Sequence, residues 1–253
     1  MAETRSLRQR MLASERLVGT FLKTPTGHGT EIVAGLGFDF VVIDQEHAPF
    51  DRTTTDIALM AARGCGIPAL VRVSGPDAIL SVLDSGAAGV LIPHVASVAY
   101  AREVAGLCRY RARRGFATST RAGGYTAVPM WKHIRASDDG VTVVAQIEDR
   151  QALDQVDAIA KVDGIDSLFI GRGDLTAAFG DETPNPPAVR DAVERISAAA
   201  RTVGKPVSVY VGGLPDVEWL RDRGATTFIL NSDQGFLRQA AAKGLAEMRE
   251  ALG

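Results

Sequence analysis

The chain has 253 residues, of which 46% are hydrophobic and 23% are charged, and its formal net charge is −2. This composition is typical of a globular protein with a substantial core and argues against large-scale disorder. The small net charge provides no broad attraction for nucleic acid or for an anionic membrane, so we expect neither as a partner.

The N-terminal segment 1–16 is too charged for a secretory leader and favours an amphipathic helix. Cys65 and Cys108 lie far apart without metal-type spacing, which is typical of a reduced cytoplasmic protein. We find no apolar run long enough to cross a bilayer. The basic run RYRARR at 109–114 is open to two interpretations, an anion-binding patch or a solvated segment or subunit contact.

Eight short apolar runs alternate with segments of helical periodicity, which indicates parallel strands joined by crossover helices. Together with a length close to the roughly 250 residues of an α/β barrel, this predicts one (β/α)8 TIM-barrel domain over residues 1–253. An open doubly wound sheet is the alternative fold. The predicted strands are 17–22, 38–44, 68–73, 89–92, 142–147, 167–170, 206–211 and 226–230.

Two features of the connections stand out. Glycine precedes most of the predicted strands, where it suits the left-handed position that ends a helix. The connection 110–140 is unusually long for a compact domain and is predicted to be a lid beside the barrel mouth or a subunit contact.

Reactive residues fall where the predicted strands end. His47, Arg72, Glu148 and Asp174 each follow or close an apolar run. The residues just past the C-terminal ends of barrel strands meet at one mouth, so we expect a base, a cation and two carboxylates to converge there.

Glu148 and Asp174 are the candidate metal ligands, because two carboxylates leave positions of an octahedral Mg²⁺ or Mn²⁺ free for water and a bidentate substrate. Alternatively, each acid caps the helix that follows it. Gln146 is expected on the same side of its strand as Glu148, where it would orient a metal-bound water or plug the barrel interior.

His47 is the candidate base. The carboxylate of Asp44, three residues earlier, is expected to accept the imidazole N–H and set the tautomer, with a structural histidine as the alternative. His28, His94 and His133 have weaker claims, although His94 follows a strand end and is expected to line the pocket. Arg72 would hold a carboxylate or a developing enolate oxygen, or pair internally with Asp44 or Glu46.

The turn Gly171-Arg172-Gly173 precedes Asp174 and a predicted helix, so its backbone amides are a candidate cradle for a substrate carboxylate. The sequence contains neither a dinucleotide fingerprint nor a P-loop, and no nucleotide cofactor is expected. Lys23, just after the first strand, is the one lysine well placed for the alternative Schiff-base route.

The segments GFDFVVIDQEHAP, VRV, LDSGAAGVLIPHV, VAQIED and IDSLFIGRGDL, taken in order, resemble the HpcH/HpaI aldolase and citrate lyase family of class II pyruvate-dependent aldolases. The resemblance covers most of the predicted barrel. It implies a metal-dependent (β/α)8 barrel of the phosphoenolpyruvate/pyruvate type, often assembled as a homohexamer with exchanged helices.

The resemblance also implies roles at matching positions. His47 would be the catalytic base oriented by Asp44, and Arg72 would stabilise the keto or enolate oxygen. Glu148 and Asp174 would bind Mg²⁺, Mn²⁺ or a similar ion such as Co²⁺. Three further positions are implied: Gln146 supports the site, the amides around Gly173 and Asp174 bind the ketoacid carboxylate, and Asp84 approaches the site of a neighbouring subunit.

Three departures from the family pattern are expected at the pocket rim: Gln45, Arg172-Gly173 and the short segment VSGPDA. We therefore expect a class II aldolase that cleaves a 4-hydroxy-2-oxoacid to pyruvate, or a related 2-oxoacid, and an aldehyde. The alternatives are a related enolate-forming lyase or decarboxylase, including one acting on an acyl-CoA, and a noncatalytic barrel that serves as a binding protein.

Overall fold

The computed structural model describes residues 5–183 and 186–253 and forms a closed eight-stranded parallel barrel in which each strand pairs with the next and β8 pairs with β1. The predicted fold class is confirmed. The strands are β1 Leu17–Leu22, β2 Phe40–Asp44, β3 Ala69–Arg72, β4 Gly89–Ile92, β5 Thr142–Ile147, β6 Ser167–Ile170, β7 Val207–Val211 and β8 Ala225–Ser232.

Helices separate the strands on the outside of the barrel, apart from α1, which precedes β1. They are α1 Leu7–Leu12, α2 Gly27–Ala34, α3 Arg52–Gly64, α4 Ala78–Asp84, α5 Val98–Leu107, α6 Met130–Gly140, α7 Arg150–Ala160, α8 Arg172–Phe179, α9 Pro187–Thr202, α10 Val217–Asp222 and α11 Asp233–Leu252. None of the described helices combines the length and apolar character needed to span a membrane.

The buried apolar residues form two clusters. The outer cluster lies between the strands and the helix layer. The inner cluster fills the barrel with side chains such as Phe40, Leu91 and Phe169, and it includes Leu7 and Met11 of α1. Because α1 precedes the N-terminal end of β1, its two buried side chains close the end of the barrel opposite the mouth.

The long connection 110–140 differs from its prediction. Its second part is the helix α6, which begins after Pro129 and buries His133 and Ile134. The connection leads from the end of α5 to the start of β5, so both its ends lie away from the mouth. It packs on the outer helices, where Arg114 pairs with Asp84 and Arg121 pairs with Asp56. A lid beside the mouth is therefore not supported, and the predicted subunit contact stays a prediction.

The candidate active site at the barrel mouth

The inward-facing side chains of a strand recur at every second residue, and this alternation places polar groups at the mouth. In β2, Phe40 and Val42 belong to the interior cluster and Asp44 follows them in phase. In β3, Arg72 follows Leu70 in the same way. The strand register makes Asp44 and Arg72 direct neighbours.

Asp44 and Arg72 form a bidentate pair. The Arg72 Nε and Nη2 donate to the two Asp44 carboxylate oxygens at 2.9 and 2.7 Å, and Asp44 is fully buried. Burial alone would raise the pKa of Asp44, but the hydrogen bonds and charge of Arg72 outweigh it and hold that pKa below its usual range. The internal ion pair with Asp44, which the sequence offered as an alternative role for Arg72, is therefore present.

Further groups surround this pair. Lys23 Nζ lies 3.2 Å from Asp44 Oδ2, and Glu46 Oε2 lies 3.3 Å from Arg72 Nη1. The Arg72 guanidinium carbon lies 4.7 Å from the centre of the Phe21 ring. Lys23 thus reaches the mouth as predicted, where it serves as a counter-ion of Asp44.

His47 lies at the mouth with its imidazole about half exposed, and its Nε2 is 3.6 Å from Glu46 Oε2. The expected bond from the imidazole to Asp44 is replaced by another contact. Asp44 Oδ1 accepts the backbone amides of Glu46 and His47, each at 3.2 Å. The reason is geometric: both Asp44 oxygens already face Arg72, so Asp44 positions His47 through the turn that carries it.

Glu148 is buried at the end of β5, with an exposed fraction of 2%. Its Oε1 accepts the backbone N–H of His94 at 2.8 Å, and its Oε2 accepts a hydrogen bond from the Gln146 amide. Burial raises the pKa of Glu148 to about 7 despite these contacts, and a side-chain hydrogen bond with Asp174 adds to the shift.

Asp174 stands in the first turn of α8, which follows β6. Its interaction with Glu148 means that the two candidate ligands, from neighbouring strand ends, are within reach of one another. The alternative prediction, that Glu148 and Asp174 cap the helices that follow them, does not hold. The N-cap of α7 is Asp149, and that of α8 is Gly171. Glu148 and Asp174 thus lie close together at the mouth, and their role as metal ligands stays a prediction.

His94 has a larger place in the site than its sequence context suggested. Its backbone is left-handed, with φ 52°, and its imidazole lies 3.4 Å from Glu148 Oε1 and 3.6 Å from Glu46 Oε1. Glu46, His94 and Glu148 each offer a ligand atom, and these atoms all lie within 4.8 Å of one another. The sequence signals were the position of His94 at a strand end and the presence of Glu46 beside His47.

The donors at the mouth fit a divalent cation. Two adjacent acids, one of them buried, are costly unless a cation or a proton compensates their charge. Gln146 Oε1 is buried and has no hydrogen-bond partner among the described residues. Carboxylate oxygens suit Mg²⁺ and Mn²⁺, while the imidazole of His94 adds a donor that later transition metals accept readily.

A cavity of about 390 Å³ opens beside these groups, within the range of small-molecule sites. Arg72, Gln146 and Asp174 line it, together with the turn Gly171-Arg172-Gly173. Of the departures expected at the rim, Arg172 and Gly173 are there. Gln45 is not, because its side-chain amide donates to Thr55 on α3 and so faces the outer helices.

Asp84 lies far from this mouth within the same chain. Asp84 is the last residue of α4, the helix that leads from the C-terminal end of β3 back to the start of β4. It therefore lies toward the end of the barrel opposite the mouth. There its carboxylate accepts a hydrogen bond from Arg114 at 2.8 Å. The implied role of Asp84 in the site of a neighbouring subunit stays a prediction.

Known proteins resemble the chain over most of its length. Residues 17–240 match the model of the HpcH/HpaI aldolase/citrate lyase family. The chain is 36% identical over 238 residues to a 5-keto-4-deoxy-D-glucarate aldolase of Enterobacter sp. (strain 638), covering 92% of each sequence. It is 32% identical to the enzyme of the same name from Klebsiella pneumoniae, with the same coverage.

Solved structures agree with this relationship. An HpcH/HpaI aldolase/citrate lyase family protein from Burkholderia cenocepacia J2315 superposes with a TM-score of 0.91 at 29% identity, covering 97% of this chain and 100% of that one. The citrate synthase SbnG superposes with a TM-score of 0.88 at 27% identity, covering 97% and 98%. The chain described here therefore belongs to the HpcH/HpaI aldolase/citrate lyase family.

Proposed function

We propose that the protein is a divalent-metal-dependent class II aldolase that reversibly cleaves 4-hydroxy-2-oxoacids to pyruvate, or a related 2-oxoacid, and an aldehyde. The observation that best supports this proposal is the pair Glu148 and Asp174, two interacting acids from successive strand ends. Asp174 lines a cavity that Arg72 also lines. Membership of a family whose relatives are named aldolases supports the reaction class.

Glu148 and Asp174 would hold the cation, which we expect to be Mg²⁺, Mn²⁺ or Co²⁺. When bound there, it would supply Lewis-acid polarisation of the 2-oxo group. Gln146 keeps one oxygen of Glu148 in place through its amide, and the backbone amide of His94 holds the other. These bonds fix the carboxylate before any ligand arrives, which lowers the cost of ordering the site.

His47 would remove the proton from the 4-hydroxyl group as the carbon–carbon bond breaks, and return it in the direction of synthesis. Its half-exposed imidazole faces the mouth, and only Glu46 lies beside its Nε2 among the ion-pairing partners in the described chain. A base must be within reach of the substrate proton, and a ring at the rim satisfies that need. Asp44 and Glu46 are positioning residues for it.

Arg72 would stabilise negative charge as it develops on the substrate oxygen. Asp44 holds the guanidinium through Nε and Nη2, which leaves Nη1 beside Glu46 and the cavity. The amides of Gly173 and Asp174, in the first turn of α8, would bind the ketoacid carboxylate, since the N-terminal amides of a helix favour anions.

The relatives' names make 5-keto-4-deoxy-D-glucarate the first substrate to test. A second candidate is another enolate-forming reaction of the citrate synthase or lyase type, because the citrate synthase SbnG matches nearly the whole chain. The two are separated by the products, since only the aldolase releases pyruvate from a hydroxyketoacid without a CoA ester.

We also infer a homo-oligomer, with the hexamer of the family as the expected form, in the reducing cytoplasm suggested by the free thiols of Cys65 and Cys108. The helix α11 has no buried residue. Apolar side chains are also exposed on α2 and α3, among them Ile32, Leu36 and Met60. A copy of α11 from a neighbouring subunit would cover such a surface.

The test is pyruvate release from 5-keto-4-deoxy-D-glucarate by metal-stripped protein, with and without Mg²⁺, Mn²⁺ or Co²⁺. Activity should require a cation and should be lost in Glu148→Gln, while Glu218→Gln, an exposed acid of α10, serves as the control. Activity that survives chelation of the metal, or that Glu148→Gln retains, would contradict the proposal. Borohydride trapping of pyruvate on Lys23 would assign the Schiff-base route instead.

A further inference from the structure

Two arginines line the cavity at the mouth, and they differ in how firmly they are held. Arg72 and Gln146, both buried, form its floor, while the more exposed Arg172 and Asp216 form its rim. Asp174 lines the same cavity, so the rim and the candidate metal site share one continuous space. A ligand that binds at Asp174 and extends outward therefore meets Arg172.

The Arg72 side chain is firmly held at the floor of the cavity. Both oxygens of the fully buried Asp44 bind it, and Glu46 lies beside its remaining nitrogen. An incoming anion would have to displace a buried carboxylate from this bidentate pair, and breaking a buried ion pair is strongly unfavourable. Arg72 can thus add a contact to a substrate oxygen, but it does not offer a vacant binding site for a second carboxylate.

Arg172 is held much more loosely. Its Nη1 lies 2.8 Å from Asp216 Oδ2, and its Nη2 donates to the backbone carbonyl of Tyr210 at 3.3 Å. The Asp216 side chain is 40% exposed, and ion pairs of this kind add little to stability. A carboxylate that presents two oxygens to the guanidinium fork would compete well with Asp216, which offers it one oxygen.

We propose that Arg172 binds a second carboxylate, on the aldehyde-derived half of the substrate. This carboxylate would take the place of the Asp216 carboxylate on the guanidinium. The inference rests on the proposed function in one respect: the 2-oxoacid end of the ligand is taken to bind at Asp174 and the amides of α8. The substrate class is thereby narrowed to 2-oxoacids that carry a carboxylate at the far end as well.

The test is direct binding, which does not depend on turnover. Calorimetry of the Mn²⁺-loaded protein compares 2-oxoglutarate with 2-oxopentanoate, and 2-oxoadipate with 2-oxohexanoate. Each pair differs only in a terminal carboxylate or methyl group. In at least one pair we expect the dicarboxylate to bind about tenfold more tightly, the value of one charge-assisted contact at a partly exposed site.

Variants assign this preference to a residue. Arg172→Gln should abolish it by weakening the dicarboxylate alone, and Arg172→Lys should retain part of it. Asp216→Asn should strengthen dicarboxylate binding because it removes the competing anion. Arg195→Gln is the matched control, since Arg195 also pairs with an aspartate but lies on the outer helix α9.

Several results would overturn the proposal. These are equal binding of the two members of both pairs by the unmodified protein, a preference that persists in Arg172→Gln, and equal weakening of both members, which would assign Arg172 to the shared 2-oxoacid end. Tighter binding of a phosphonate-ended analogue than of the dicarboxylate would reject the carboxylate as the ligand. A preference found in a protein without aldolase activity would instead contradict the proposed function and leave Arg172 as an anion site.

Discussion

Gly171 lies against Glu148 so closely that no side chain fits between them. A Cβ on Gly171 would stand 2.8 Å from Glu148 Oε2 and closer still to Glu148 Cβ. Gly171 has a negative φ of −82°, so the requirement for glycine here is one of space and not of backbone conformation. Gly171, just after β6, thus packs directly against the side chain of Glu148, just after β5.

Gly171→Ala should therefore displace Glu148 and weaken cation binding. Because the obstructing atoms include the Glu148 Cβ, we expect a loss of about 1–3 kcal/mol in folding free energy and a Kd for Mn²⁺ raised about tenfold or more. Calorimetric titration with Mn²⁺ and denaturant unfolding measure both effects. Gly173→Ala is the control, since a Cβ there meets nothing within 4 Å, and equal Mn²⁺ affinities of the two variants would refute the steric argument.

The pH dependence of the stability of the metal-free protein should reflect the titration of Glu148. Burial raises the pKa of Glu148 from 4.5 to about 7. A carboxyl whose folded pKa is raised favours the folded state when protonated, so this contribution is present below about pH 4.5 and is lost as pH rises to about 7. The Tm of the chelated protein should fall across this window, while Mn²⁺ affinity rises with deprotonation.

Thermal unfolding in chelator across this pH window measures the effect, and Glu148→Gln supplies the reference. The glutamine does not titrate, so its Tm should vary less with pH over the same window. Identical curves for the two proteins would show that Glu148 does not carry the effect.

Arg72→Lys separates charge from geometry at the pair with Asp44. Lysine keeps the positive charge but cannot reproduce the two parallel bonds of the guanidinium. We expect kcat to fall about 100-fold, as for other donors that stabilise a developing oxyanion. Arg72→Gln should in addition destabilise the protein by about 3 kcal/mol, because it leaves Asp44 buried with Lys23 as its nearest cation.

Steady-state kinetics and urea unfolding give the two quantities. The exposed pair of Arg195 and Asp154 is the comparison, and Arg195→Gln should cost less than about 1 kcal/mol. A lysine variant with unchanged kcat would rule out a role for the guanidinium geometry in the reaction.

His47→Gln should lower kcat by about 100- to 10,000-fold, the usual contribution of general acid–base catalysis. The KM should change much less, because His47 is not among the expected ligands of the 2-oxoacid. His28→Gln is the matched control, since His28 is exposed at the start of α2 and does not line the cavity. Pyruvate release under saturating cation is the measurement, and similar rates for the two variants would exclude His47 as the base.

Oligomer formation should depend on the apolar side chains of α11. Leu237, Leu245, Met248 and Leu252 are each more than half exposed in the single chain. Light scattering after gel filtration should give a mass several times that of the 26.8 kDa chain, and Leu245→Glu with Met248→Glu should lower it.

Leu214→Glu, an exposed leucine outside α11, controls for the added charge. A monomeric mass for the unmodified protein would contradict the assembly. In the assembled protein, Asp84→Asn should lower activity if Asp84 approaches the site of a neighbouring subunit, as the family resemblance implies.

Local patterns in the sequence were enough to predict the barrel. The apolar runs correspond to the eight strands, with β2 starting two residues later than predicted and β8 extending from Ala225 to Ser232. The same periodicity predicted that Arg72, Gln146 and Glu148 share the mouth. A strand whose alternate residues pack inside a barrel carries its last inward residue to the open end, and this follows from spacing alone.

The partners of those side chains depended on the tertiary structure. Asp44 binds Arg72 instead of the His47 imidazole because the strand register sets β2 and β3 side by side. His94 reaches Glu148 through a left-handed backbone at the end of β4. Contacts of this kind join residues from different strands, so their distances arise only when the barrel closes, and no pattern within one segment encodes them.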